Sequence, residues 1–400
     1  MAAPVFDMFA PEMCIDPYPH YAAMRDVDPV HESALGFVML FRHSDVRQFF
    51  SDKTLEHKYA LTQQLRGGPE SLEQPYYDVF RRMVFVMDNP DHRRVRLLFA
   101  KSFTPTQIKK LYDDVTVIAN ELIDSVEGRG YMDFIDEFAT PLPIRVIGQL
   151  LGVPVADQDV VGRLSHALNP VLQFLPMDAP TQSRANDAVA EMTAYFRELA
   201  EVKRRNPADD LMTQMVTAVD ENDQLTDDEL IANAILLYLA GHETSSGAAG
   251  LALIALHRHP DQLALLTADH SLIPGAVDEL LRFDAPGQAT ARITTAPITF
   301  SDSEIPAGRG VVAWIGAANR DPAKYPDPDV LDVRRRPEHV VTFGGGAHYC
   351  IGQALARQEL QVTLEVLLNR LPDLAVTDID APAHRGTSLM RGLTTLPVTW

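Results

Sequence analysis

Apolar residues recur three and four positions apart through most of the chain, which is the spacing of helices that bury one face. From about Ser44 to Leu266 this pattern predicts mainly helices, including segments at residues 106–127, 134–152 and 188–205. Strict alternation of apolar and polar residues, which indicates strands, is confined to short stretches. These are a hairpin at residues 30–33 and 37–41, turning at Gly36, and strands at residues 293–300, 310–317 and 393–400. The sequence therefore predicts a mainly α fold with small β-sheets.

The longest helical pattern lies in the second half of the chain. It starts at Thr226, where the spacing between Thr226 and Glu229 is that of a capping box. It continues to about His259, and Pro260 ends it. At about 1.5 Å per residue, such a helix would be ~50 Å long, enough to cross a whole domain.

The chain shows no internal boundary. Its 400 residues contain no Ser/Gly linker, low-complexity tract or long run of one charge, so we expect a single large domain over residues 1–400. The N-terminus lacks a targeting pattern and no apolar run is long enough to span a bilayer, so no membrane association is expected. Cys14 and Cys350 lie far apart in the sequence, which favours reduced thiols in a cytoplasmic protein.

The formal charge of −20 argues against binding to nucleic acid or to an anionic membrane surface. Residues 91–110, here called the basic segment, differ from the rest, because they hold one acid, Asp91, against six cations. The cations are Arg93, Arg94, Arg96, Lys101, Lys109 and Lys110. The pattern indicates either a solvated helix face or a surface for an acidic partner.

The most informative chemical signal is F-G-G-G-A-H-Y-C-I-G at residues 343–352, here called the cysteine loop. Its three consecutive glycines allow the backbone to approach a flat group closely and to aim N–H groups at the sulfur of Cys350. A helical pattern begins just after the cysteine, so the positive end of a helix dipole would favour an anionic sulfur. Because metals bind cysteine as the thiolate, the loop suits an iron ligand at Cys350, and the alternative at this point is a buried cysteine followed by a helix.

The spacing of Phe343, Gly346, His348, Cys350 and Gly352 resembles the haem-binding signature of the cytochrome P450 monooxygenases. Further segments match that family in order, so the resemblance spans nearly the whole chain. It implies the P450 fold, with the long helix crossing the domain. It also implies haem b (iron protoporphyrin IX) as the cofactor, with Cys350 as the metal ligand and the other four residues around the haem.

A second resemblance lies in the middle of the long helix, in A-G-H-E-T-S at residues 240–245. It is similar to the family's oxygen-activation turn and implies Glu243 as an acid and Thr244 as an alcohol that relay protons to bound dioxygen. Gly241, Thr244 and Ser245 also weaken a helix. We therefore expect a distorted turn here, with room for a small ligand.

Glu279 and Arg282 lie three residues apart and so share a helix face. They resemble the family's E-x-x-R signature, which implies a buried structural pair that meets a second arginine. Arg335 is assigned to that place, with its neighbours Arg334 and Arg336 as open alternatives.

The resemblance also implies cationic or imidazole side chains for the two haem propionates. His92 and Arg96, which share a helix face, and Arg292 match the family pattern together with His348.

By the same resemblance, eight residues would line the substrate pocket. They are Met83, Phe85, Leu236, Ala240, Gln288, Ala289, Leu389 and Met390. The set is mostly apolar, so it predicts a hydrophobic small molecule such as a terpenoid, fatty acid, aromatic or macrolide.

The function implied is that of a monomeric monooxygenase that inserts one atom of dioxygen into this substrate. No fused reductase is recognisable, so electrons would come from an external ferredoxin with its reductase, and the basic segment would be the docking surface. Two alternatives stay open. One is a peroxide-using haem-thiolate enzyme, against which the Glu243–Thr244 pair counts, and the other is a haem-binding sensor or carrier without turnover.

Overall fold

Helices form most of the chain in the computed structural model, which describes residues 6–102, 105–220, 225–385 and 387–400, without the side chains of residues 100–110 and 218–220. The helices are Glu12–Ile15, Tyr18–Val27, His43–Ser51, Tyr59–Gly67, Pro75–Phe80, Asp91–Ser102, Pro105–Val126, Pro141–Leu151, Val155–Leu172, Ala179–Arg205, Leu211–Asp220, Asp227–Arg258, Pro260–Ala268, Ile273–Phe283, Ile315–Asn319 and Gln353–Arg370. Single turns of 3₁₀ helix lie at Pro69–Glu73, Glu127–Arg129, His270–Leu272 and Gly346–His348, and one π-helical turn lies at Ile135–Ala139.

The chain divides into two compact units, each built from segments that are far apart in the sequence. The first unit comprises Met1–Leu55, Tyr112–Leu142 and Thr244–Trp400, and the second comprises Glu56–Leu111 and Pro143–Glu243. The single domain predicted over residues 1–400 stays a prediction.

The largest sheet belongs to the first unit. Its strands follow the order Val30–Glu32, Val38–Leu40, Gly310–Trp314, Ala289–Thr294 and Leu55–Glu56. The first two strands form the predicted antiparallel hairpin, with Val30 opposite Leu40. Val46 and Phe49 of helix His43–Ser51 join the sheet's apolar core, because alternate strand side chains such as Val38 and Leu40 point to that face.

The remaining strands form small sheets, also in the first unit. Tyr131–Asp133, Pro397–Thr399 and Ala375–Val376 make one of three strands, and two hairpins pair Ile298–Phe300 with Ser303–Ile305 and Ala383–His384 with Leu393–Thr395. The predicted fold class, mainly α with small sheets, is confirmed.

Three of the predicted strands were too long. The segment at 293–300 lies in two strands, Ala289–Thr294 and Ile298–Phe300, because the chain leaves the sheet at Thr295, whose N–H donates to Thr54. The segment at 310–317 ends as a strand at Trp314, and Ile315 begins a short helix after its N–H donates to the carbonyl of Gln288. The strand predicted at 393–400 is likewise interrupted at Leu396.

Two predicted helices have different starts. The π-helical turn Ile135–Ala139 precedes Pro141–Leu151, so the segment at 134–152 is not one regular helix. The helix predicted from residue 188 begins at Ala179, where the side chain of Asp178 accepts a hydrogen bond from the N–H of Thr181.

The predicted long helix is present as Asp227–Arg258. Its capping box forms as predicted, since the N–H of Thr226 donates to Oε2 of Glu229 at 2.9 Å and the N–H of Glu229 donates to Oγ1 of Thr226 at 3.2 Å. The helix is continuous through residues 240–245, so the expected distorted turn was wrong. Packing on both sides of this segment, where residues 230–239 and 246–256 are buried, outweighs the weak helix propensity of Gly241 and Thr244.

Among the residues that the structure describes, no single helix has both the length and the apolar composition to cross a membrane. One bent pair, Ile135–Leu151 with Val155–Leu172, meets those two criteria jointly across a 113° bend.

Candidate active site

The cysteine loop ends at the start of helix Gln353–Arg370, whose N-cap residue is Gly352. The N–H of Cys350 donates to the carbonyl of Phe343 at 3.0 Å, which closes the loop on itself. The cysteine is exposed, two residues before the N-cap, where the positive end of the helix dipole favours a thiolate. The loop therefore presents an accessible sulfur beside a helix N-terminus.

The glycines of the loop serve its packing on helix His43–Ser51. Gly346 has φ +62°, and a Cβ there would lie 2.1 Å from the carbonyl oxygen of Phe50. A Cβ on Gly345 would come within 2.9 Å of the Phe50 side chain. The missing side chains of Gly345 and Gly346 thus allow the cysteine loop to pack closely against Phe50, a contact that the sequence did not predict.

A groove of about 860 Å³ opens beside the cysteine loop, within the first unit. Gly344, Gly345, Gly346 and Tyr349 form part of its wall. Its charged lining consists of Arg42, Arg47, Lys324 and Arg357 against Asp278 and Asp321. Arg357 also lies over the ring of Phe343, 4.4 Å from its centroid, and is paired with Asp278 at 2.7 Å.

Two of the residues assigned to the propionates lie in the first unit. Arg292 is 8% exposed on strand Ala289–Thr294, and its guanidinium donates to Oγ1 of Thr290 and to the carbonyl of Ala291. His348 is half-buried in the 3₁₀ turn Gly346–His348 of the cysteine loop.

The other two, His92 and Arg96, lie one turn apart on helix Asp91–Ser102 of the second unit. His92 is buried and Arg96 half-buried, so the helix face that carries both is not a freely solvated one. Arg94 of the same helix is paired with Glu229 at 2.5 Å and with Asp91 at 3.2 Å. The side chains of Lys101, Lys109 and Lys110 lie outside the described residues.

Glu279 and Arg282 are both fully buried and form a two-pronged pair, with distances of 2.7 Å and 2.8 Å between their nitrogens and oxygens. The remaining Arg282 nitrogen donates to the carbonyls of Asn319 and Pro328. Of the three neighbouring arginines, Arg335 reaches the pair, with its Nε 3.3 Å from Oε1 of Glu279. This geometry fixes the chain around Pro328 to helix Ile273–Phe283.

The long helix is buried along most of its length but not at its middle. Ala240 is exposed and Thr244 half-buried, one turn apart on the same face, although residues 230–239 are buried. Both are small, so this face offers room and a hydroxyl in an otherwise apolar helix.

The Glu243 side chain contacts a neighbouring helix. Its Oε1 lies 2.5 Å from Nδ1 of His166, on helix Val155–Leu172 of the same unit. His242 is buried, with its Nδ1 2.9 Å from the carbonyl of Tyr238 and its Nε2 3.4 Å from Oγ of Ser165. Neither contact, His166 with Glu243 or His242 with Ser165, could be predicted from the sequence, because the partners are 77 residues apart.

Asn233 explains the polar residue in the apolar run of the long helix. It accepts from the N–H of Val84 at 2.8 Å and donates to the carbonyl of Arg82 at 2.9 Å. These bonds hold Met83 and Phe85 next to the helix that carries Leu236. Met83 and Leu236 are buried, whereas Phe85 is 42% exposed.

The other predicted substrate residues in the first unit are brought together by backbone bonds. The N–H of Gln288 donates to the carbonyl of Leu389, and Gly287 forms a bridge with Met390. Leu389 is buried, and Ala289 and Met390 are half-buried. The Gln288 side chain, however, is fully buried and bonded to Tyr21 and to the carbonyl of Ala285, so it is committed to the fold.

One ionisable residue of the site region was missed at the sequence level. Glu359 on helix Gln353–Arg370 is buried, and burial raises the pKa of its carboxyl to about 8, a shift that the nearby Ser245 hydroxyl opposes only in part. Among the described residues, neither carboxyl oxygen has a hydrogen bond of good geometry. Its position four residues after buried Leu355 places it on the helix face turned to the core, which was the available signal.

The residues present fit a haem. Cys350 supplies an exposed soft donor at a helix N-terminus, the donor type that holds iron in haem-thiolate proteins. Arg292 and His348 in the first unit are donors of the kind that bind propionates, and His92 and Arg96 in the second unit are donors of the same kind. Together, fold and site define a helical haem-thiolate oxygenase.

Comparison with known proteins agrees with this class. The family model described as "Cytochrome P450" matches residues 158–372. The chain is 35% identical to "Putative cytochrome P450 133B1" of Xylella fastidiosa over 98% of both chains. It is 38% identical to "Vitamin D(3) 25-hydroxylase" of Pseudonocardia autotrophica, covering 98% of this chain and 96% of that protein.

Solved structures give the same answer. "Crystal Structure of CalO2" superposes with a TM-score of 0.92 at 31% identity, covering 99% of this chain and 98% of that one. A P450BioI structure "in complex with hexadec-9Z-enoic acid ligated Acyl Carrier Protein" superposes with a TM-score of 0.88 at 30% identity, covering 98% of this chain and 100% of that one. The chain belongs to the cytochrome P450 family and is a P450 monooxygenase.

Proposed function

We propose that this monooxygenase binds haem b through the thiolate of Cys350 and oxidises a hydrophobic small molecule with electrons from an external acidic ferredoxin and its reductase. The observation that carries the proposal is the cysteine loop. Cys350 is exposed just before the N-terminus of helix Gln353–Arg370, with its N–H bonded to Phe343.

The bound haem would supply the binding and activation of dioxygen, and the protein's own side chains have three tasks. Cys350 supplies a thiolate ligand. Arg292, His348, His92 and Arg96 bind the propionates. The hydroxyl of Thr244, on the partly exposed face of the long helix, passes a proton on, and Glu243 supplies the next proton.

The groove beside the cysteine loop supports an acidic electron donor. Arg42, Arg47 and Lys324 add positive charge to its lining, and Arg357 is balanced by Asp278. In the basic segment, by contrast, Arg94 is already paired with Glu229 and Asp91. We therefore assign the docking surface to the groove, in place of Arg94.

The hydrophobic substrate class rests on two supports. Met83, Phe85, Leu236 and Ala240 in the second unit and Ala289, Leu389 and Met390 in the first are apolar. The relatives and neighbours named above act on or hold vitamin D(3) and a hexadecenoic acyl group, and another neighbour, at 32% identity, was solved "in complex with myristic acid". All three are largely apolar molecules, and Gln288 is withdrawn from the set because its amide is satisfied within the fold.

The two alternatives are weaker. Direct use of peroxide would need no proton relay at Glu243 and Thr244. A haem sensor without turnover would not need one either. A monomer in the cytoplasm stays a prediction, and its cytoplasmic part is supported by Cys14 and Cys350, which form no disulfide with each other.

The reduced carbon monoxide spectrum tests the iron ligand. Cys350→Ala should lose the thiolate-type absorption, and Cys14→Ala, which removes the other cysteine, should keep it. An unchanged spectrum in Cys350→Ala would remove the basis of the assignment.

The substrate class is tested by titrating wild-type protein with long-chain fatty acids, sterols and polar sugars. A spin-state change with the first two groups and none with sugars is expected. Product formation in the presence of a ferredoxin system separates an enzyme from a carrier.

A further inference from the structure

The contact between His166 and Glu243 joins a solvent-exposed imidazole to a buried carboxyl. Nδ1 of His166 lies 2.5 Å from Oε1 of Glu243. The His166 side chain is 69% exposed, and the Glu243 side chain only 10%. The buried acid therefore reaches solvent through the imidazole ring.

This contact can hold a proton in two ways. Nδ1–H of the imidazolium can donate to the carboxylate, or the carboxylic acid O–H can donate to Nδ1 of the neutral ring. Nδ2 of Asn169, 3.4 Å from Nδ1, can donate to the neutral ring once Glu243 has given up its proton, when the single lone pair of Nδ1 no longer accepts from the acid O–H. The ring nitrogen therefore has a polar partner both before and after Glu243 passes its proton on.

The side chains near Glu243 come from the long helix and from two neighbouring helices. On the long helix, Nε2 of His242 lies 3.8 Å from Oε1 of Glu243 and also faces Ser165. On helix Pro141–Leu151, Ile147 lies against Gly241, where a Cβ would meet it at 3.1 Å, and Arg145 is the charged residue of that helix. His166 and His242 both lie close to Glu243, and of these two His166 is the exposed one.

We propose that His166 is the proton-exchange residue of this enzyme, which reloads Glu243 from solvent after each proton that Glu243 gives up. The inference rests on the proposed role of Glu243 in the monooxygenase. His166 acts through Glu243 and touches neither substrate nor cofactor in this role.

The step balances in protons and charge. Imidazolium and carboxylate become imidazole and carboxylic acid when the proton passes from Nδ1 to Oε1. Glu243 then delivers that proton along the long helix and returns to the carboxylate, and the exposed neutral ring, which has kept its Nε2–H, takes up a new proton from water at Nδ1. No oxidant or further reactant is needed.

The test compares His166→Gln with wild type and with His20→Gln. His20 is an exposed imidazole on helix Tyr18–Val27, so its removal is a matched control. With saturating ferredoxin and substrate, His166→Gln should form product about 10-fold more slowly, which is less than the roughly 10²-fold of a weak general acid–base effect because water can replace the ring in part. Added imidazole should restore part of the rate, and the Michaelis constant for substrate should not change.

The pH profile separates proton exchange from a structural role. In wild type and His20→Gln the rate should fall as pH rises through the range of a histidine, because the imidazolium supply is lost. His166→Gln should lack this limb. An unchanged profile, or a faster rate in His166→Gln, would overturn the proposal.

A readout without turnover comes from proton NMR of the diamagnetic reduced carbon monoxide complex. Wild type and His20→Gln should show one strongly deshielded Nδ1–H signal from the short contact, and Glu243→Gln and His166→Gln should both lack it. If wild type forms no product with any ferredoxin system, the proposed function fails. If wild type is active and His166→Gln matches it at every pH, only the role of His166 fails.

Discussion

Nε of Arg335 lies 3.3 Å from Oε1 of Glu279, a carboxylate that is fully buried and already bonded twice to Arg282. The same arginine donates to the carbonyl of Pro326 at 2.8 Å. One cation therefore joins helix Ile273–Phe283 to the segment that leads into the cysteine loop. The buried pair of Glu279 and Arg282 therefore helps to position the segment that leads into the cysteine loop.

Removing the Arg335 side chain should destabilise the fold, although Glu279 and Arg282 stay buried. Arg335→Ala should lower the free energy of unfolding by about 1–3 kcal/mol, since several charge-assisted hydrogen bonds are lost. Arg334→Ala is the control, because Arg334 is exposed, and its effect should stay within about 0.5 kcal/mol. Urea unfolding measures both, and equal effects would mean that the contact with Glu279 contributes nothing specific.

Local pattern and family resemblance were sufficient to predict that Glu279, Arg282 and Arg335 lie together. The first two lie on one helix face, and the third lies in a recognisable segment. They were sufficient also for the capping box at Thr226. They could not reveal partners set by tertiary packing. Examples are Asn233 with Val84, 149 residues apart, and Glu243 with His166.

Strand ends could not be predicted for the same reason. The strand at Gly310–Trp314 stops where the carbonyl of Gln288 accepts a hydrogen bond from the N–H of Ile315, a long-range contact without a local signal. The packing of Gly346 against the backbone of Phe50 is a second contact of this kind, and the predicted approach of the cysteine loop to a flat cofactor stays a prediction.

Asn233 should control the segment that carries Met83 and Phe85. Asn233→Ala leaves the N–H of Val84 and the carbonyl of Arg82 without their partner, so the Val84 amide should exchange its hydrogen faster. Asn233→Asp keeps an acceptor for Val84 and loses only the donor, so Val84 should stay protected. Hydrogen exchange of this amide is the measurement, and equal protection in Asn233→Ala and wild type would contradict the role.

Thr244→Ala should uncouple reductant use from product formation. Reductant should still be consumed, but hydrogen peroxide should replace product, because the hydroxyl that directs the proton is lost. Ser245→Ala, one residue along the helix, is the control and should stay coupled. The ratio of product to reductant consumed is measured, and a wild-type ratio in Thr244→Ala would remove the relay role.

Charge reversal in the groove should weaken the electron donor. Arg47→Glu combined with Lys324→Glu should raise the Michaelis constant for an acidic ferredoxin and flatten its dependence on salt, because docking samples charges within about 8 Å at physiological ionic strength. Peroxide-driven turnover, which needs no ferredoxin, should remain near wild type. A loss in both assays would indicate a damaged fold, and no loss in either would remove the groove from the docking surface.

Glu359 should make stability depend on pH in an unusual direction. Its folded pKa is about 8, whereas an unfolded glutamate titrates near 4.3, so between these values the folded protein holds a proton that the unfolded chain has lost. The free energy of unfolding should therefore fall as pH rises through this window, by at most about 1.4 kcal/mol per pH unit from this group. Above the window both states are ionised and the slope ends.

Glu359→Gln keeps the shape of the side chain and removes its titration. Its urea-unfolding free energy, measured at several pH values across the window, should lack the downward slope of wild type and should exceed the wild-type value most at the alkaline end. Glu338→Gln, at an exposed position, should reproduce the wild-type slope. Parallel curves for wild type and Glu359→Gln would show that the carboxyl is already ionised in the folded protein, and the buried neutral acid beside Ser245 would have to be abandoned.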